Sequence, residues 1–239
     1  MKEKIYTIPV NDAFDKESEC PVCSMKYVLE QEAVAYVMGP SYMEDDMRAM
    51  TDEMGFCEKH LQAVYNMENR LGFALVMKTH LDKVISEIEK RSVEPAKGKL
   101  FQKKIERPEV NTYIEELNQK CYVCNKVSAT MERYLDTILY LYKTEEVFRE
   151  KYHASKGFCT SHYADLIARG NEKLSGTVKT NFLEETQRLY LDNMKRVRDD
   201  VAWFINKFDY KYAKEPWYNA KDSLVRAMTK DNSILEEES

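Results

Sequence analysis

Apolar side chains recur along this chain at the three- and four-residue spacing of amphipathic helices. The cleanest stretch is Met131, Tyr134, Leu135, Ile138 and Tyr142, at i, i+3, i+4, i+7 and i+11. Val22, Tyr27, Ala33, Val34 and Val37 stripe a first helix that runs to about Met38, where Gly39-Pro40 stops it. Ser41 is placed to cap a second helix, Tyr42 to about Glu53, and Gly55 supplies the left-handed turn after it. Cys57 and His60 open a third helix to about Asn69. A fourth, about Leu71 to Arg91, carries Met77, Leu81, Val84, Ile85 and Ile88 on one face. Thr144-Glu-Glu begins a helix with Val147, Phe148 and Tyr152, which ends at Ser155-Lys-Gly157. Breaks are expected near Gly170 and Gly176. The longest helix, about Thr180 to Phe208, should bury Tyr190, Met194, Val197, Val201, Phe204, Ile205 and Phe208. The short run Ile5–Val10 is broken by Pro9 and reads as an extended arm, with Asn11 or Asp12 capping a helical turn after it.

Punctuation in this pattern suggests boundaries. Two prolines, a glycine and a run of lysines interrupt the helical period around residues 92–110. The lysines Lys97, Lys99, Lys103 and Lys104 read as a solvated connection rather than a nucleic-acid stripe. The expected organisation is a first helical unit over 1–95 and a linker over 96–110. A second unit over 111–210 and a C-terminal tail over 211–239 follow. In the tail Pro216-Trp217-Tyr218 is expected to anchor on the body, Ala220 to Lys230 to form a short helix, and Glu236 onward to be disordered.

Chemistry enters through the cysteines. All six fall into two copies of one pattern: Cys20-x2-Cys23 with Gly55-Phe56-Cys57-x2-His60, and Cys121-x2-Cys124 with Gly157-Phe158-Cys159-x2-His162. Cys20 to Cys121 is an offset of 101 and Cys57 to Cys159 of 102, so an internal duplication is the economical account. Three thiols and an imidazole are the ligand set of a closed, tetrahedral structural zinc site. Read along the chain, Cys20, Cys23, Cys57 and His60 make the first site, and Cys121, Cys124, Cys159 and His162 the second. Two Zn²⁺ per chain are expected. Iron–sulfur clusters are the competing cofactor, since cysteines dominate their ligation too. Thiol redox chemistry at either C-x2-C ranks third, because no βαβ pattern accompanies it.

Composition narrows the rest. Formal charge is −5, which argues against nucleic acid or an anionic membrane as partner. Seven glycines and six prolines in 239 residues are few, which favours long helices over an all-β chain. No segment approaches the ~18 apolar residues of a membrane span, and no signal peptide is visible, so a cytoplasmic protein is expected. Outside the thiols, Tyr42, Glu44, Asp45 and Arg48 are candidate ligand-binding residues or outer partners of the metal site, although Glu44 and Arg48 also suit an ordinary helix ion pair. His80 sits at the edge of an apolar face, where a hydrogen-bonded structural histidine is the commoner case.

The motifs Ile8-Pro-Val-Asn-Asp-Ala-Phe14, Glu19-Cys-Pro-Val-Cys23, Ser41-Tyr-Met-Glu-Asp-Asp-Met-Arg48, Gly55-Phe-Cys57-x2-His60 and Thr79-His80-Leu81 resemble an uncharacterised bacterial family, a domain of unknown function. The likeness extends to Gly157-Phe-Cys159-x2-His162 and Pro216-Trp217. It implies a cytoplasmic helical protein with a metal-ligand pattern and carries no activity across.

The expectation is an all-α protein of two similar helical-hairpin units, each pinned by a Cys3His site, packed through the fourth helix and the helix over 180–208. Its function would be that of a zinc-stabilised binding or interaction module, monomeric or homodimeric, with a protein or small-molecule partner. The alternatives are an iron–sulfur protein for electron transfer or redox sensing, and an enzyme using Glu44, Asp45 and Arg48.

Overall fold

The computed structural model describes residues 3–94 and 107–233. Among them there is no strand, and eleven α-helices carry the fold. The lysine run at 97–104 and the end of the tail from Glu236 lie outside the described residues.

The chain divides into two compact units, Met1–Tyr27 with Met131–Ser239, and Val28–Thr130. This is not the consecutive arrangement expected from the sequence. The divisions fall inside α2 (Pro21–Met38) and inside α7 (Tyr122–Thr144) rather than in the linker.

The discontinuous unit begins with a short 3-10 turn, Glu3–Tyr6, and α1 (Thr7–Asp15). The extended arm is therefore helical. Pro9 is tolerated because it sits in the first turn, where backbone N–H groups have no helical acceptor to lose. Asn11 lies inside the helix and donates from Nδ2 to Thr7 O at 3.0 Å instead of capping it. α1 packs on α8 (Glu146–Ala154). Between them Phe14, Phe148, Tyr152 and Phe158 form an aromatic core, with Phe14 and Phe148 at 5.0 Å and Tyr152 and Phe158 at 5.3 Å between ring centres. All five residues of the α7 stripe are buried as expected.

α9 (Thr160–Lys173) runs straight through Gly170, where a break was expected. A Cβ there would lie 2.8 Å from the Phe182 ring, so the glycine serves close packing rather than a turn. α10 (Gly176–Asn206) packs on α9 and on α11 (Ser223–Asn232). Its buried line is Phe182, Thr186, Leu189 and Val197. Of the expected face only Val197 is fully buried; Ile205 and Phe208 are 64% and 78% exposed. Pro216 and Trp217 touch the end of α10. Trp203 Nε1 donates to Pro216 O at 3.0 Å, and Phe204 meets Trp217 with ring centres 5.8 Å apart.

The continuous unit holds the end of α2, then α3 (Asp45–Met54), α4 (Glu58–Asn66), α5 (Arg70–Glu89) and α6 (Glu109–Asn118), and the start of α7. Ser41 lies in a 3-10 turn, Pro40–Met43, so the second helix starts later than expected, with Glu44 at its cap position. α3 packs along α5, burying Met47, Thr51 and Val76. On the expected face of α5, Leu81, Ile85 and Ile88 are exposed. The buried positions are instead Gly72, which faces Tyr42 of the 3-10 turn, and Val76, four residues on.

Candidate metal centres

Each of the four cysteine motifs is built the same way. Its first cysteine stands immediately before a helix, and its second ligand is the third residue of that helix. Cys20 precedes α2, Cys57 α4, Cys121 α7 and Cys159 α9. The first intrahelical bond of each helix ends on that cysteine's carbonyl: Ser24 N to Cys20 O at 3.2 Å, Leu61 N to Cys57 O at 2.8 Å, Asn125 N to Cys121 O at 2.9 Å and Tyr163 N to Cys159 O at 2.8 Å. Cap and third positions share one side of the first turn, as in a capping box. That places Cys57 Sγ and Cys159 Sγ each 3.2 Å from the Nδ1 of its own histidine. The positive end of the helix dipole also favours thiolate at these positions.

Two such helix starts converge in each unit. Cys20 and Cys23 meet Cys159 and His162, whereas Cys57 and His60 meet Cys121 and Cys124; within each group the ligand atoms lie within 4.8 Å of one another. All eight candidate ligands are thus gathered in two Cys3His groups, but the partition is crosswise: the C-x2-C of one copy faces the C-x2-H of the other. The expected set of Cys20, Cys23, Cys57 and His60 does not form, nor does that of Cys121, Cys124, Cys159 and His162. Helix length gives the reason. α2 has 18 residues and α3, which should bring the chain back, has 10. At 1.5 Å per residue that is about 27 Å out against about 15 Å back. α7 with 23 residues and α8 with 9 are more lopsided still.

The distances suit one tetrahedral ion per group. A metal–sulfur bond of 2.3 Å implies sulfur pairs roughly 3.8 Å apart, and sulfur–nitrogen pairs about 3.6 Å apart. The observed pairs are Cys23–Cys159 at 3.6 Å and Cys57–Cys124 at 3.8 Å. Sulfur to Nδ1 distances are 3.3 Å from Cys23 and 3.6 Å from Cys20 to His162, and 3.3 Å from Cys124 and 3.4 Å from Cys121 to His60.

Without a cation the groups are electrostatically divided. The hydrogen bond with Cys121 and the nearby Glu30 carboxylate raise His60 to about 10 against the cost of burial. Burial pushes the Cys121 thiol up, but hydrogen bonds from His60 and the backbone outweigh it and bring the thiol down to about 6. Burial and the neighbouring Cys121 push Cys124 up to about 12. In the other group Cys159 is lowered, first by hydrogen bonds from Cys20 and Cys23. Burial disfavours the His162 imidazolium, but Cys159 and Cys23 carry it up to about 9. Burial holds Cys20 well above the usual thiol range. A divalent cation would take the place of the retained protons and be held by three thiolates and a neutral imidazole.

The surroundings of the two groups differ. In the continuous unit, Tyr122 N donates to Gly55 O at 3.0 Å and ties the two motifs together through the main chain. Gly55 has φ +56°, and a Cβ there would sit 2.8 Å from the His80 ring. His80 Nδ1 pairs with Asp52 O at 2.9 Å and Thr79 Oγ1 donates to Asp52 Oδ1 at 2.6 Å, so His80 buttresses the glycine turn. Glu30, which no sequence pattern singled out, accepts from Lys59 at 2.6 Å and approaches His60 Nε2 at 3.7 Å. At that distance it makes no hydrogen bond to the ring, and among the described residues His60 Nε2 is buried without a partner, so Glu30 acts on His60 through its charge.

In the discontinuous unit the position of Tyr122 is taken by Pro21, which has no N–H to give. Lys230 of α11 does the tying instead. Its Nζ donates to Glu19 O at 2.6 Å and to Lys156 O, and its side chain is 1% exposed. Glu19 neutralises it at 3.3 Å and is itself held by Arg196 at 2.5 Å. Gly157, at φ +75°, lies where a Cβ would meet Leu189 O at 2.7 Å.

The acidic stretch does not converge. Glu44 accepts from Tyr36 Oη at 3.2 Å, Arg48 donates to Leu75 O at 3.4 Å, and Asp45 is exposed in the first turn of α3. Tyr42 packs near Gly72. Among the described residues Glu44 and Arg48 form no ion pair with each other, and none of Tyr42, Glu44, Asp45 and Arg48 bonds to a thiol or to His60.

Fold and site together define an all-helical protein with two Cys3His sets that could hold metal ions. By its sequence the chain belongs to the Family of unknown function (DUF6062), whose model matches residues 1–238. No curated protein and no solved structure matches it.

Proposed function

We propose that this is a zinc protein whose two metal ions are structural, and that it works as a binding module rather than an enzyme. The observation carrying this is the spacing of the ligand atoms, all within 4.8 Å in each group. Ligands of an iron–sulfur cluster terminate different irons and would stand further apart than ligands of one ion. Three sulfurs and one nitrogen fill a tetrahedron and leave no position for substrate, so neither centre is a place for chemistry on a ligand. Each ion would join two helix starts, and the work of the protein would lie on its helical surfaces, toward a protein or small-molecule partner. Six cysteines committed to metal suit the reducing cytoplasm. The duplicated motifs fit an ancestral unit whose halves now complete each other's sites.

The test is metal analysis with an absorption spectrum on protein purified without oxygen and without added metal. Two zincs per chain with no visible colour is the expected result. Iron with acid-labile sulfide would replace zinc with a cluster; absence of both metals would end the metal reading.

A further inference from the structure

The two centres share a ligand set and differ in what covers them. In the discontinuous unit Cys20, Cys23, Cys159 and His162 are all buried. The C-terminal segment lies against them: Ser233 Oγ is 3.0 Å from Cys159 Sγ, and Lys230 holds the backbone on both sides. In the continuous unit Cys121 and His60 are buried, Cys57 is half-buried and Cys124 is exposed. Both centres contain a close sulfur pair. Cys23 and Cys159, 3.6 Å apart, are only 2% and 0% exposed. Cys57 and Cys124, 3.8 Å apart, are the two residues of their group that are not buried.

We infer that the Cys57–Cys124 pair is a site of oxidative modification, at which a hydroperoxide forms a disulfide and releases the metal of that centre while the other centre stays loaded. The inference rests on the zinc reading. The Cys124 thiolate attacks one peroxide oxygen; an S–O bond forms, the O–O bond breaks, and the second oxygen leaves as an alcohol, or as water from hydrogen peroxide, after taking a proton. The Cys57 thiolate then attacks that sulfur; the S–S bond forms, the S–O bond breaks, and water leaves with a second proton. Two thiolates lose two electrons in all, and the peroxide gains them. The metal changes no oxidation state. It loses two of four ligands, and the tie between the starts of α4 and α7 loses its ion. A signal of this kind needs one centre that yields and one that keeps the fold, which is how exposure is distributed here.

The experiment uses full-length protein first shown to carry two zincs per chain. Hydrogen peroxide is added in oxygen-free buffer, a coloured chelator follows free zinc, and samples quenched with iodoacetamide are mapped by mass spectrometry. The expected result is one zinc per chain released in a first phase with a Cys57–Cys124 disulfide, and a second phase at least tenfold slower. In Lys230→Met the slow phase should quicken at least fivefold and the fast phase stay as it was. Both zincs leaving at one rate, first oxidation at Cys20, Cys23 or Cys159, or an unchanged slow phase in Lys230→Met would overturn the inference and leave the zinc reading intact. Protein that holds no zinc before peroxide is added overturns both.

Discussion

The phenylalanine of the Gly-Phe-Cys motif occurs once in each unit, in unlike settings, and truncating each should separate the two units energetically. Phe158 is 0% exposed and meets Tyr152 with ring centres 5.3 Å apart and Phe14 at 6.4 Å. Phe56 is half-buried and has one ring neighbour, Tyr122, at 6.5 Å. A fully buried Phe→Ala change costs about 3–5 kcal/mol, and favourable ring pairs add about 0.5–1.5 kcal/mol each. Phe158→Ala should therefore cost its unit roughly 4 kcal/mol or more. Phe56→Ala, at a partly exposed site with one distant ring, should cost less, roughly 2 kcal/mol. Hydrogen exchange read peptide by peptide reports opening free energies unit by unit, which a single melting curve of a two-unit protein does not. Peptides from α8 and α9 should lose protection by nearly a thousandfold in Phe158→Ala, those from α3 and α4 by about thirtyfold in Phe56→Ala, since 1.4 kcal/mol is tenfold. Equal losses in the two variants would refute the argument from burial, and so would loss of protection spread evenly over both units in either variant.

Gly55→Ala should cost about 1–3 kcal/mol for a side chain at φ +56°, with a further loss from the His80 ring; adding His80→Ala should recover only the steric part, as a denaturation double-mutant cycle would show. Burial raises the Asp136 carboxyl, but Lys173 and Arg169 outweigh it and hold the group below its ordinary value. Its contribution is then present above the ordinary aspartate range near pH ~3.9 and lost as pH falls through the lowered folded value. Half-exposed as it is, the group should give Asp136→Asn a deficit under about 1 kcal/mol at pH 7 that fades as pH falls through the lowered folded value, as urea titrations would show. Removal of metal by a strong chelator at neutral pH should deprotect the starts of α4 and α7 in hydrogen exchange before those of α2 and α9, because only the first pair carries cysteines that are not buried.

What the sequence revealed and what it hid follow from how local each feature is. α2, α7 and the eight metal-ligand candidates are written in spacings of a few residues, and they could be read. Ligand pairing is not local. Both copies present the same two half-sites, and either partner satisfies the chemistry; the choice is made by α3 and α8 being too short to undo α2 and α7. The buried register of α10 was hidden for a related reason. Phe182, Thr186, Leu189 and Val197 are buried where α10 packs on α9 and α11, whereas Ile205, at its C-terminal end, and Phe208, just beyond it, are exposed; spacing alone does not say where along a helix its packing partners stop. Lys230 had no signature at all. A lysine near a helix end is ordinarily a solvated one. Its burial becomes intelligible only beside Pro21, which cannot donate the bond that Tyr122 donates in the other unit. The departure of Cys20-Pro-Val-Cys23 from Cys121-Tyr-Val-Cys124 is thus a change in which group closes the site: a backbone amide in one copy, and in the other a charged side chain from the far end of the chain, with the shielding that its helix brings.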